Sequence, residues 1–510
     1  MSRSGTGEPR APMRMLLPAL AVVLVAALDL TVVAPILPRV IDDLDINTVD
    51  ADRYTWIVLA YLIAYTVTVP ITGRVSDFVG RVPTFLVALS LFLIGSTITA
   101  LSSSLAEMIA GRTLQGLGGG AMLPVSMALV ADAIPQTRRA AALGIVAAVD
   151  TFGWVLGPVW GALIFGATDS WRMIFWLNLP IGFLAALALL KSTPRTIRRD
   201  RARLPDLLST ALFIAGLTLF CVALSSGGEA GVGSPSGEVL GGSEHPLAAY
   251  RWPVLGFGLV LLMAFVARER VARAPTLPRE LLRRRGFQLA IIANGLVGTA
   301  LVIAMVNAPL FVTLVVDPGD QAVMSAIILA AFALAMSIGA IVGGRMHRSF
   351  GARIPAVAGL LVASMGFLSM TLWGDQINYG LMLPTSAVAG LGLGIVIAPI
   401  ADAAISLATL RDYGLASGLV LLARLLGMSI GLAAITRYAV DQLRSRIGAL
   451  PAIEPRDGET TAEFFERQEN YIIDEAVPVT LDIVSQTFVI AALICVLAIV
   501  PAWRLAQRGE

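Results

Sequence analysis

Gly73-Arg74-Val75-Ser76-Asp77-Phe78-Val79-Gly80-Arg81 is the stretch from which the fold can be read. It separates two apolar runs, 54–72 and 83–101. About 20 apolar residues suffice for a helix to cross the hydrocarbon core of a bilayer. The nonapeptide is therefore expected to be a polar loop between two membrane-crossing helices. Its glycines permit a tight turn and close helix approach. Asp77 can cap the N-terminus of a neighbouring helix, where the helix dipole favours an anion. Arg81 can pair with Asp132, which falls at the same side of the membrane.

Working outward, comparable runs lie near 16–38, 107–131, 140–166, 172–190, 206–226, 251–267, 287–316, 322–343, 354–373, 381–408, 413–438 and 481–503. With the two that flank the loop they make fourteen. Composition agrees: 57% of the 510 residues are hydrophobic and 14% charged, against roughly 25% charged in a soluble domain. The first run follows Arg3, Arg10 and Arg14 but is too long for a signal peptide and carries Asp29. Arginines gather on one side, as Arg198, Arg199, Arg201 and Arg203 after the sixth run and Arg283, Arg284 and Arg285 before the ninth. The first segment on the other side is acidic, with Asp42, Asp43, Asp45, Asp50 and Asp52. Basic loops stay cytoplasmic, so both termini are expected inside the cell.

Other chemistry is sparse. Cys221 and Cys495 lie in apolar runs and are expected to be buried thiols. His245 and His347 lack metal-ligand spacing. The single lysine, Lys191, closes no GxxxxGK[ST] loop, so the chain has no Walker-type ATP site of its own. No nucleophile or metal constellation suggests an enzyme, and a net charge of +2 suggests no nucleic-acid partner.

An internal repeat organises the chain. Gly116, Gly118 and Gly120 recur as Gly390, Gly392 and Gly394; Gly144, Gly153 and Gly157 recur as Gly418, Gly427 and Gly431; Pro35 recurs as Pro309. The offset is 274 residues throughout. A weaker echo of 73–81 stands at 344–352, offset by 271. The expected organisation is a six-helix half at 1–200, a two-helix insert at 201–280 and a second six-helix half at 281–510. The thirteenth run can continue as helix to about Ile447, roughly 50 Å against a core of about 30 Å. An extracytoplasmic extension is thus expected at about 439–480. Two parallel halves suit alternating access, with the halves rocking about a central site.

Charges inside the bilayer are costly and mark function. Four stand out: Asp29, Arg112, Asp150 and Arg424. At 1.5 Å per residue, Asp29 lies roughly 20 Å, and Asp150 and Arg424 each roughly 18 Å, from the cytoplasmic helix ends. Three charges are therefore expected at one depth. Asp150 and Arg424 also occupy equivalent positions in the repeat and could meet across the central axis as a switchable pair or as a fixed packing pair. Arg112 could tie down a carbonyl or partner a proton-carrying acid. In the fifth run, Gly153, Gly157 and Gly161 allow close packing, and Pro158 permits a bend. Gly73, Arg74, Asp77, Gly80, Arg81 and Asp132 together read as a cytoplasmic gate, made in only one of two rocked states.

These residues resemble the major facilitator superfamily. Residues 73–81 resemble its signature between helices two and three, and Arg112 to Gly120 its fourth-helix signature tied to proton transfer. Gly153 to Gly161 resembles its fifth-helix antiporter signature, although Ala162 stands where a second glycine is common and the glycine run after Arg112 is looser. Leu28-Asp29-Leu30-Thr31-Val32-Val33 looks like the first-helix signature of the fourteen-helix drug:proton antiporters. More narrowly, Arg53-Tyr54-Thr55-Trp56-Ile57-Val58, Asp150 and Ala423-Arg424-Leu425-Leu426-Gly427-Met428 resemble the mycobacterial triacylglyceride exporters. The resemblance implies an all-α integral membrane protein of the plasma membrane, arranged 6+2+6. It implies proton-coupled efflux of hydrophobic or amphipathic molecules, with lipid export as the alternative and a uniporter or nutrient importer behind both. It implies no cofactor beyond the proton gradient. The expected partners are the substrate, protons and membrane lipids, with a lipid-carrier protein outside the cell and no oligomer.

Overall fold

The computed structural model describes residues 11–33, 36–44, 56–192, 206–225, 250–272, 277, 279–316, 321–374, 378–409, 412–447 and 477–505, with single positions between 460 and 475. Every element is helical among the described residues. In chain order these are α1 (Ala11–Thr31), α2 (Leu37–Asp43), α3 (Trp56–Val79), α4 (Arg81–Leu101), α5 (Leu105–Ala133), α6 (Gln136–Thr168) and α7 (Arg172–Ser192). Then come α8 (Leu207–Ser225) and α9 (Arg251–Val271). The series ends with α10 (Arg279–Arg283), α11 (Arg285–Val315), α12 (Gln321–Phe350), α13 (Arg353–Met370), α14 (Tyr379–Ser406), α15 (Tyr413–Ile447) and α16 (Val477–Trp503).

A helix lies over each of the fourteen apolar runs. Among the described residues, 10 helices are long and apolar enough to cross a membrane, or up to 11 if a bent pair in α6 counts as one span. Leu17–Thr31 and Leu208–Leu224 form shorter apolar helices. The two arms of α6, Ala141–Trp154 and Val159–Thr168, meet at 54°. The break takes in Gly157 and Pro158, as a missing backbone donor predicts. Arg53, Asp45, Pro35, Arg198 to Arg203 and most of 448–476 lie outside the described residues, as does the Pro158 side chain.

The stretch 73–81 departs from its reading as a loop. α3 continues through Val79, and only Gly80, at φ +109°, breaks the backbone before Arg81 opens α4. Hydropathy marks where the hydrocarbon ends, whereas the helix ends where its backbone hydrogen bonds do. Two polar turns of α3 therefore project beyond the apolar run.

The glycine repeat is a repeat of backbone contacts. Cβ atoms added at Gly116 and Gly120 of α5 would fall 2.4 and 2.3 Å from the carbonyl oxygens of Tyr61 and Tyr65 on α3. At Gly390 and Gly394 of α14 they would fall 2.0 Å from those of Phe332 and Met336 on α12. Gly144 of α6 approaches Ala340 on α12, and Gly418 of α15 approaches Val69 on α3. These last two contacts are the crossed ones: the first helix set grips the second through α6 and α12, and the second grips the first through α15 and α3. α8 and α9 pair with each other, and α8 also touches α3 and α15. Asp206 caps α8 through Ser209 and bonds Arg268 of α9 at 2.9 Å. That arginine, with Ser209, holds the Asp206 carboxyl down at about 2. α15 runs 35 residues, about 50 Å of helix.

Gly120→Val should lower the thermal unfolding midpoint in detergent, because overpacking a close contact costs about 1–3 kcal/mol. Gly166, with nothing within 4 Å of a built Cβ, is the control. Gly166→Val should leave the midpoint unchanged. Equal midpoints for the two variants would show that the α3–α5 approach is not tight.

Candidate functional site

At the end of the bundle where α3 leaves the apolar region, Asp77 reaches across to the second helix set. Its Oδ1 accepts from the Gly414 amide at 3.0 Å and its Oδ2 from the Leu415 amide at 3.0 Å. These are the first free donors of α15, where the dipole and the unsatisfied N–H groups both favour a carboxylate. Arg81 holds Asp77 in place: its guanidinium donates to Asp77 and Ser76 and, at 2.9 Å, to Asp132. Arg74 donates to Asp412 at 2.9 Å. Gly73 makes the approach possible, since a Cβ there would stand 2.3 Å from the Gly414 oxygen. A second node lies beside the first. Arg139 of α6 donates to Asp402 of α14 at 2.8 Å and to the Tyr413 hydroxyl at 3.3 Å, while His347 Nε2 of α12 lies 2.9 Å from the other Asp402 oxygen. All six expected gate residues therefore come together. Asp402, Asp412, Arg139 and His347 join them, and the sequence reading gave none of these four a gate role.

Asp29 and Arg112 form one buried cluster inside the first helix set. Arg112 Nη1 donates to Asp29 Oδ2 at 2.6 Å, Nη2 to the Asp29 carbonyl at 3.1 Å, and Nε to the Ile57 carbonyl at 3.4 Å. Its guanidinium also stacks 4.2 Å over the Tyr61 ring. Arg112 thus ties two carbonyls and pairs with an acid at the same time. The second carboxylate oxygen of Asp29 accepts from Gln115 at 3.0 Å and Asn178 at 3.2 Å, and both amides also bond Ser96. Sequence reasoning missed Gln115, Asn178 and Ser96. Uncharged polar residues inside apolar runs were their only signal.

Asp150 and Arg424 behave differently. No ion pair within 4.0 Å joins them in this conformation, so the expected contact pair is corrected to a facing pair. Both line a cavity of about 20 Å³ with Thr151, Trp154, Met305 and Phe332. The three charges expected at one depth fall into two groups. Asp29 sits with Arg112 inside one helix set, while Asp150 and Arg424 face each other between the sets. Gly153 and Gly157 press α6 onto α1, where built Cβ atoms would stand 2.6 Å from Ala27 and 2.1 Å from Thr31. Gly161 is buried in the same helix.

Beside the small cavity lies a larger one of about 190 Å³. Leu30, Leu59, Ile63, Val302, Met305 and Met428 are among its lining residues, with Trp154 between the two cavities. Its α15 wall, Leu425 to Thr436, begins 12 residues beyond Tyr413, about 18 Å from the locked end. The bundle is thus bolted at one end and hollow toward the other.

The sequence matches the Major Facilitator Superfamily over residues 19–432. The chain belongs to that superfamily. It is 33% identical over 502 residues to the "Probable triacylglyceride transporter" of Mycobacterium leprae (strain TN), covering 96% of this chain and 95% of that protein. It is 34% identical over 446 residues to the "Triacylglyceride transporter" of Mycobacteroides abscessus, covering 85% and 84%. Two solved structures share the fold. The human organic anion transporter MFSD10 (TETRAN) has a TM-score of 0.59 at 16% identity, over 96% of this chain and 100% of that one. The proton:xylose symporter XylE bound to 6-bromo-6-deoxy-D-glucose has a TM-score of 0.58 at 13% identity, over 97% and 96%.

Two outcomes follow from the geometry. Asp77→Asn removes the charge that caps α15, worth about 1 kcal/mol at a helix N-terminus. Spin labels at Val79 and Phe350, both exposed at the locked end, should then report a new, longer distance population. An unchanged distribution would show that Asp77 does not hold the seam. In the buried pair, a carboxyl can take up a proton when stranded, whereas a guanidinium stays charged. Asp29→Leu should therefore lower the unfolding midpoint more than Arg112→Leu, and the reverse order would overturn that account.

Proposed function

We propose that this protein is a secondary transporter that exports an acylglycerol-class lipid by alternating access, in exchange for protons. The observation that carries the proposal is the 190 Å³ cavity. It opens between the helix sets away from the lock, and aliphatic, methionine and tryptophan side chains form nearly all of its wall. Its hydroxyls are confined to Thr31, Thr66, Ser429 and Thr436. Such a wall suits acyl chains and offers little to a sugar or an amino acid. The naming of relatives at about a third identity favours lipid over the multidrug efflux that the antiporter signatures suggested.

In this reading the helices over all fourteen apolar runs, α9 included, span the plasma membrane, with both termini cytoplasmic, the side that the arginine placement favours. The lock of Asp77, Arg81, Arg74 and Asp132 is then the closed inner gate, and the cavity faces outward. Asp29 and Asp150 carry the coupling proton, Arg112 and Arg424 being the cations that set how readily each releases it. The long α15, continued outside the membrane, would hand lipid to an extracytoplasmic carrier. The working unit is a monomer.

Proteoliposomes with an imposed pH gradient test this, using a fluorescent triacylglycerol in one arm and a fluorescent cationic drug in the other. Gradient-dependent movement of the triacylglycerol, abolished by a protonophore, is the expected result. Asp29→Asn and Asp150→Asn should each cut it at least about tenfold, which is about 1.4 kcal/mol of driving or barrier energy. Transport of the drug alone would return the reading to multidrug efflux. Full transport by both variants would remove proton coupling.

A further inference from the structure

Trp154 stands in the wall between the two cavities. The residue lines both the large apolar one and the small one that holds Asp150 and Arg424, as Met305 also does. Its indole Nε1 is buried, meets no partner at ordinary hydrogen-bond geometry, and stands close enough to the Asp150 carboxyl to act on it. A buried donor without a partner costs about 1–3 kcal/mol, and the polar group its side chain acts on is the Asp150 carboxyl of the small cavity. That cavity has about 20 Å³ of room, enough for one water, which needs about 10–15 Å³ and two to four polar partners. Asp150, Arg424, Thr151 and the indole N–H supply those partners. The residue is also fixed from behind, because Thr31 donates to the Trp154 carbonyl at 2.6 Å, tying it to α1 two residues from Asp29.

We propose that Trp154 is the positioning residue that couples occupancy of the apolar cavity to the protonation of Asp150. The inference rests on the lipid-for-proton reading above. Lipid packed against the ring holds the indole N–H in the small cavity, where it donates, directly or through one water, toward the ionised carboxylate that faces Arg424. Protonating Asp150 removes the acceptor. The ring is then free to turn, and the lipid loses the wall it packs on. Coupling of this kind is reciprocal: whatever the proton does to lipid affinity, lipid does to the proton. Lipid should therefore bind this conformation more tightly at high pH.

The other elements around Asp150 add few charges. α11 and α12 present Leu301, Met305, Phe332 and Met336. From α3, Tyr61 and Tyr65 are the titratable groups that feel Asp150, and Arg424 on α15 is the cation. Asp29 is already neutralised by Arg112 at 2.6 Å.

The test is binding of a fluorescent triacylglycerol to the full-length purified protein at pH 6 and pH 8. The wild type should bind roughly tenfold more tightly at pH 8, the ratio that follows when ligand shifts one carboxyl by about one pH unit. Trp154→Phe keeps an aromatic wall and loses only the N–H. Whatever it does to affinity at a single pH, its pH 8 to pH 6 ratio should fall below about twofold, as should that of Asp150→Asn. Trp154→Tyr, which restores a donor, should recover part of the ratio, and it serves as the test variant if Trp154→Phe unfolds. A wild-type ratio that survives in Trp154→Phe overturns this inference alone. A wild type that binds with no pH dependence overturns the proton-coupled reading and this inference with it.

Discussion

A carboxylate on one helix set holds the N-terminus of a helix from the other, and the shape of the molecule follows from that contact. Asp77 accepts from the Gly414 and Leu415 amides, and α15 begins there. Because α15 is a single rod of 35 residues, fixing its first turn also fixes the angle at which its far end stands. The Gly73–Gly414 approach brings the two backbones into contact, and Asp77 and Arg81 are buried beside it, so their charge-assisted bonds act in a low dielectric and are correspondingly strong. With one end drawn together and the helices stiff, the opposite ends must diverge. The apolar cavity is the space they leave.

The two buried carboxylates show opposite solutions to one electrostatic problem. Asp29 has a guanidinium on one oxygen and two amides on the other, so the cost of burying both charges is met locally by geometry. Asp150 has its cation across a cavity and no ion pair within 4.0 Å. A saturated network is rigid. An unsaturated one changes readily with one proton or one water, since each missing bond weighs heavily where the dielectric is low. The first cluster therefore holds helices α1, α5 and α7 in register, and the second would take up or give back energy if the helix sets moved.

How far this was legible in the sequence depends on what leaves a mark in residue type. The repeat was legible because close backbone approach admits only glycine, and the contacts at Gly116, Gly120, Gly390 and Gly394 keep one offset. The 271-residue offset of the weaker echo reappears in their partners, since Tyr61 and Tyr65 stand to Phe332 and Met336 as Gly73 stands to Gly344. The Asp77 cap and the Arg81–Asp132 pair were legible from sign and position. The helical state of 73–79 was not, because glycine and charge beside an apolar run read as a turn. Nor was the Arg112–Asp29 contact. Counting rise along each helix gives depth but no azimuth, and a long arginine reaches well past its own Cα. Asp402 did leave a signal, an acid inside an apolar run, but its partners Arg139 and His347 could not be inferred from spacing.

One contact locates the pseudo-twofold axis. Arg139 and Tyr413 are 274 residues apart, equivalent positions of the repeat, and they touch at 3.3 Å. Two symmetry-related positions can meet only close to the axis that relates them. Asp150 and Arg424 lie 11 residues further along the same two helices and share one cavity, so the axis passes there too, about 16 Å deeper. The locked end is not symmetric about it, however. The position equivalent to Asp77 is Arg348, so the second set offers no carboxylate there to cap α6. Instead α6 sends Arg139 to Asp402 and His347. One half of the lock is a carboxylate on a helix terminus and the other a guanidinium on a carboxylate. If the two sets rock about a line that crosses this axis at the depth of the small cavity, both halves of the lock break together while the small cavity moves least. A charge change there acts on both helix sets equally, which is the position a trigger must occupy if it is to open one end while closing the other.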